Sequence, residues 1–138
     1  MSGGSSPAHI GTWDAALAHI LRVYEADDSS ATHARLRIAL PHSQNQPEMV
    51  WRGTSSIIPG KEAIHIASPI AHIDDCDLVA LASEVDTLPF GALRVMDGLI
   101  HLHETLLFPG LTPEKLDAAI RLIAAEAGTL ARETSGGK

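Results

Sequence analysis

Apolar residues fall into two rhythms along this chain, one helical and one alternating, and their order sketches a fold. Trp13, Leu17, Ile20, Leu21 and Tyr24 recur at the spacing of one helical face, while Asp14, Ala18, Arg22 and Glu25 take the opposite side. Thr12 can cap the first turn. The pattern predicts a helix ending near Asp27-Asp28-Ser29-Ser30, whose side chains compete for the backbone and favour a turn. From Ala34 the rhythm alternates: Leu36, Ile38 and Leu40 share one side, Arg35 and Arg37 the other, which predicts a strand with one buried face. Pro41 to Pro47 reads as a polar loop. A second strand is predicted from Glu48 or Met49 through Gly53 toward Ile58, with Gly53 marking a bulge. After a turn at Pro59-Gly60-Lys61-Glu62 comes a third strand, Ala63 to Ile70, which Pro69 ends or places at an edge.

Asp74 and Asp77 stand in a capping arrangement, and Leu78, Leu81, Ala82 and Val85 form a stripe, so a second helix is predicted over Asp75 to Leu88. Pro89-Phe90-Gly91 breaks it. Gly91 to Met96 and Leu99 to Phe108 then read as two strands joined by Asp97-Gly98, a pair suited to a type I′ turn because both residues tolerate positive φ. Thr112 caps a third helix, Pro113 fits its first position, and Leu116, Ala119, Ile120, Ile123, Ala127 and Leu130 make its apolar face. Asp117 and Arg121 are spaced as an exposed i, i+4 pair. The order is α-β-β-β-α-β-β-α. Strands grouped in this way predict an α+β fold, with helices packed on a mainly antiparallel sheet. Residues 1–11, with Gly3, Gly4, Ser5, Ser6 and Pro7, read as a flexible leader, 12–133 as a single domain and 134–138 as a disordered tail.

Composition narrows what such a domain does. Ten basic residues are scattered among 17 acidic ones for a net charge of −7, so a nucleic-acid backbone would be repelled and no basic stripe offsets this. Cys76 stands alone, which rules out an internal disulfide or a multi-cysteine zinc site and suits a reducing cytoplasm. Its simplest role is that of a small buried apolar side chain. No apolar run is long enough to span a membrane, and no basic-then-apolar segment of a secretory signal opens the chain. With aromatic residues at 4%, the core must be mostly aliphatic, and Trp13 and Trp51 become its large anchors.

Candidate chemistry is sparse. Among eight histidines, His101 and His103 alternate on one strand face and His65 lies on another strand, so a three-histidine metal or ligand site is conceivable; ordinary strand histidines explain the same residues. The stretch from Gly53 to Glu62 superficially resembles a phosphate loop, but its glycines are too far apart and Glu62 stands where a hydroxyl should hold magnesium. Asp27-Asp28 and Asp74-Asp75 lie at predicted helix boundaries, where capping accounts for them. No nucleophile-elbow motif occurs. No catalytic, cofactor-binding or metal residue is therefore assigned.

The run Leu93-Arg94-Val95-Met96-Asp97-Gly98-Leu99-Ile100-His101-Leu102-His103-Glu104-Thr105-Leu106, followed by Gly110-Leu111-Thr112-Pro113-Glu114-Lys115-Leu116 and a long helix, resembles the end of YbjN-type domains. Those share a fold with the type III secretion chaperones. The resemblance covers about residues 91 to 130 by pattern and most of the chain by element order. It implies a secretion-chaperone-like α+β domain without enzymatic activity or cofactor, cytoplasmic and often a homodimer, that holds a polypeptide partner along apolar grooves. Exposed apolar residues of the second helix and its exit, Val79, Leu81, Val85, Leu88 and Phe90, are the candidate partner-binding set, with core packing as their alternative role. The alternative function is a regulatory domain sensing a small molecule or metal through His65, His101 and His103.

Overall fold

In the computed structural model, which describes residues 9–41, 45–54, 58 and 60–136, the chain runs α1 (Trp13–Val23), β1 (Glu25–Ser29), β2 (His33–Ile38), β3 (Gln46–Thr54) and β4 (Glu62–His72). A 3-10 turn (Ile73–Asp75), α2 (Leu78–Val85), β5 (Ala92–Met96), β6 (Leu99–Leu107) and α3 (Pro113–Gly136) follow. The strands form one open antiparallel sheet in the order β1-β2-β3-β4-β6-β5. The fold is α+β, with one strand more than the sequence pattern predicts. Among the described residues, no helix is long and apolar enough to cross a membrane.

Alternation along the strands decides which face is covered. Leu36, Val50, Ile64, Ile66, Ile100 and Leu102 point to one side and are fully buried. Against them lie Trp13, Ala16 and Ile20 of α1 and Leu116, Ile120, Ile123, Ala124 and Ala127 of α3. Leu81 and Val85 of α2 join the same core, so all three helices serve one face. Caps fix where the helices begin. Thr12 Oγ1 accepts from Ala15 N–H at 3.1 Å, Asp77 Oδ1 accepts from Val79 and Ala80 N–H, and Thr112 Oγ1 accepts from Lys115 N–H.

Several expectations are corrected. The first helix stops at Val23, and Glu25–Ser29, predicted as its end and a turn, is an edge strand exposed throughout. Its backbone pairs with β2, and Arg37 reaches across to Glu25 and Asp27. Gly53 is not a bulge: the β3–β4 register is unbroken there, and the shifts fall between Ala26 and Asp28 and between Pro69 and Ala71. Pro69 neither ends its strand nor sits at a sheet edge. It is tolerated because the β3 ladder has already stopped at Met49–Ala67, and the Gln46 side chain donates to Pro69 O at 3.0 Å in its place.

The second helix is also shorter than predicted: Asp77, not Asp74, caps it, and Asp75 belongs to the 3-10 turn. Of the loop predicted over 41–47, Gln46 and Pro47 are already strand, and residues 42–44 lie outside the described residues. The continuation of the second strand over 55–57 and Pro59 of the following turn also lie outside them. Ile10, assigned to the leader, is buried and its N–H donates to Leu111 O at 2.7 Å. At the other end α3 continues through Gly136, so the predicted tail begins inside a helix; residues 1–8 and 137–138 are outside the described set. The hairpin is as predicted, with Asp97 at φ 53° and Gly98 at φ 78°.

Candidate functional site

The face of the sheet opposite the helices carries the most concentrated chemistry. Odd-numbered positions of β3 and β4 point there, and the register places His33 beside Trp51, Trp51 beside His65, and His65 beside Thr105 across β2, β3, β4 and β6. One step along, Ala67 pairs with His103, and His103 with Ala92 of β5. Trp51, His65 and His103 are half-buried rather than enclosed, because no helix among the described residues packs over them.

These rings form a compact triangle, with Trp51 and His103 also in contact at 5.8 Å and 34°. Trp51 and His65 stack at 5.2 Å between centroids with planes 14° apart, and His65 and His103 stack at 5.2 Å and 20°. The Arg94 guanidinium lies 5.6 Å from the Trp51 ring centre, a cation–π distance. Gly53 makes this ring cluster possible: a Cβ there would lie 2.6 Å from His65 Cδ2, so any side chain would displace the imidazole.

Proton positions follow from the partners. His65 Nε2 is 3.1 Å from Thr54 O, and a carbonyl only accepts, so Nε2 carries a hydrogen. His65 Nδ1 lies 2.9 Å from His103 Nε2, and the Arg94 guanidinium faces the same His103 nitrogen at 3.4 Å. Burial pulls the His103 pKa down to about 4, helped by the Arg94 cation and by its histidine neighbours. His103 is thus held neutral at physiological pH. His101, on the same face, is turned away from it: Nδ1–H donates to Leu99 O at 3.2 Å, and burial lowers its pKa too. The sequence brings two of the three candidate histidines together and leaves the third apart. Among the described residues no group of three His, Cys, Asp or Glu side chains could hold a metal ion.

A hollow of about 530 Å³ extends beside the ring cluster on this same face. Met49, Ala67, Pro69 and Leu99 line it, Asp27 and Asp28 of β1 stand at one end, and Met96 and Asp97 of the β5–β6 hairpin at the other. Reaching from one edge strand to the far hairpin, it shows that the open face is concave.

The five apolar candidates are placed differently. Leu81 and Val85 are core residues, Leu88 and Phe90 are partly buried against that core, and only Val79, 77% exposed, is open to solvent. Cys76 packs half-buried at the same edge.

Sequence reasoning missed a second cluster, between α1 and α3. Asp117 does not pair with Arg121 on the surface; it accepts from Tyr24 Oη–H at 2.7 Å and from His19 Nε2 at 3.0 Å. Burial and the Asp117 carboxylate raise the Tyr24 pKa strongly. Arg121 instead lies over the Tyr24 ring at 5.8 Å, and Arg22 faces His19 Nδ1 at 3.4 Å. With both ring nitrogens of His19 engaged, the arrangement is a clamp between the first and last helices. No local signal could reveal contacts spanning 98 residues of sequence.

Glu48 is the other surprise. It occupies a core-facing position of β3, and neither carboxylate oxygen has a partner among the described residues. Burial raises its pKa well above the usual carboxylate range, favouring the protonated form.

Compared with models of known families and with curated proteins, the chain matches none.

Proposed function

We propose that this protein is a non-enzymatic, polypeptide-binding domain of chaperone-like or regulatory type, and that it binds through the open face of its sheet. The carrying observation is one-sided layering. Every helix among the described residues packs on one face, while the other presents Met49, Met96, Leu99 and His101 around a concave hollow, with Trp51, His65, His103 and Arg94 beside it. Exposed apolar surface rimmed by polar groups is the usual mark of an interaction site, and methionine side chains adapt to varied partners. The ring cluster serves the same end: with its imidazoles hydrogen-bonded to each other and to backbone, it presents flat rings for contact.

In this reading the protein works in the cytoplasm, which its lone cysteine favours, and as a homodimer paired through a surface other than this face, which the resemblance of residues 93 to 116 favours. A titration of the labelled protein with a reduced, unfolded polypeptide, followed by NMR, tests the binding face. Shifts are expected at Met49, Trp51, Arg94 and His103; shifts confined to the helices would remove the sheet face from the proposal.

A further inference from the structure

Resting on the polypeptide-binding reading, we infer that the hollow on the open face takes an extended segment of about seven residues, apolar in its middle and carrying one basic side chain at each end. Length comes from the sheet. The hollow crosses from β1 to the β5–β6 hairpin, five inter-strand spacings of about 4.8 Å each, or roughly 24 Å, which an extended chain spans in about seven residues. Such a segment crosses the strands and cannot join their hydrogen-bond ladder. Recognition then rests on side chains, and because they alternate, the first, third, fifth and seventh face the floor.

The middle of the floor is mainly apolar: Met49, Ala67, Pro69 and Leu99 lie between the ends, with His101 and, toward β1, Arg35 as the polar side chains beside them. Its ends are not. At the β1 end, Glu25, Asp27 and Asp28 stand against Arg35 and Arg37, one carboxylate in excess of the guanidinium groups, and Asp28 also meets the His33 ring at 3.2 Å. At the hairpin end Asp97 is exposed and, among the described residues, has no ion-pair partner. Arg94 of the hairpin strand reaches over Trp51 and does not line the hollow, so the surplus there is one negative charge at each end, within a chain whose net charge is −7. A cation at each terminus of the segment answers both and is steered toward the domain by its overall field. The concavity selects the occupant further: two copies of this face laid together would leave a void between them, whereas a narrow segment fills the hollow.

The test uses the full chain and three blocked peptides, Lys-Ser-Leu-Ser-Leu-Ser-Lys and its Gln-ended and Glu-ended counterparts, with binding read by calorimetry at low salt. The Lys-ended peptide should bind about tenfold more tightly than the Glu-ended one, with the Gln-ended peptide between them, and about 0.5 M salt should erase most of the difference. An Asp28→Asn/Asp97→Asn double variant should shrink the gap to under about threefold while leaving Gln-ended binding unchanged. Asn tolerates the positive φ at position 97, so the hairpin survives the change. Equal or tighter binding of the Gln-ended or Glu-ended peptide overturns the charge assignment and leaves the polypeptide-binding reading standing. Absence of binding by all three, together with no NMR response to unfolded polypeptide, removes both. A Met49→Arg variant that turns a dimer into a monomer would hand the face to a second copy and likewise overturn the inference.

Discussion

The two faces of one sheet obey different rules in this molecule. On the helix side, strand residues are aliphatic, fully buried and interchangeable in kind: Ile64, Ile66, Val50, Ile100 and Leu102 differ mainly in shape. On the open side, residues of the same strands are chemically individual, with Trp51, His65, His103 and Arg94 each fixed by a particular neighbour. The difference teaches where stability and function reside. Burial on the first face holds the fold, and the second face is free to carry specificity because little of the fold depends on it.

The sharpest way to break that separation is to truncate one residue on each face. Ile66→Ala, beneath α3, should lower the unfolding free energy by about 2–5 kcal/mol, as lost transfer energy and the cavity left behind add together. Met49→Ala, half-exposed on the open face, should change it by less than about 1 kcal/mol while weakening polypeptide binding. Urea denaturation of both variants measures the contrast. Similar losses at both positions would mean that the open face is covered in solution.

A smaller effect is expected at Gly53, which links the faces to the backbone. Gly53→Ala places a Cβ into the His65 ring and should destabilise by about 1–3 kcal/mol, the range for an overpacked site. If the cost comes from that collision, His65→Ala in the same chain should recover most of it. A double-mutant cycle with no coupling would show instead that the glycine matters through its backbone alone.

How much of this was legible in the sequence depends on which face a residue occupies. The helix-side core was readable because burial imposes a period, and the Asp97-Gly98 hairpin and the Thr112-Pro113 helix start were readable because turn and cap chemistry is local. β1 was not. Glu25-Ala26-Asp27-Asp28-Ser29 is exposed on both sides, so no alternation marks it, and it is a strand only because β2 supplies a partner. Pro69 misled for a related reason: a proline argues against a central strand unless its ladder position is vacant, which only the register reveals. The open-face site was half visible. His101 and His103 announced a shared face, yet the contact that matters joins His103 to His65, and Trp51 and Gly53 enter only once β3 and β4 are aligned. Asp117 shows the same limit, since a local charge pair and a distant hydrogen-bonded clamp look alike in sequence.

The finest distinction between the faces is in their response to pH, where one buried group on each side pulls in the opposite direction. Glu48 on the helix side has a folded pKa raised above its unfolded value, so its contribution is full below about pH 4.5 and is lost as pH rises toward the folded pKa. Glu48→Met should therefore stabilise the protein at neutral pH, by about 1–3 kcal/mol, the cost of an unpaired buried polar group, and less in acid. His103 on the open side has a folded pKa lowered to about 4. Its unfolded form takes up a proton near pH 6.5 while the folded form resists, so stability falls as pH drops from about 6.5 to about 4 and is level above that window. His103→Gln should flatten this segment of the curve, and because the ring is only half-buried the change should be the smaller of the two. Melting temperatures of both variants across pH 4 to 8 separate the contributions. If the His103 variant changes the slope at neutral pH, or the Glu48 variant changes it only in acid, the assignment of a lowered His103 pKa to the open face and a raised carboxyl pKa to the core is wrong.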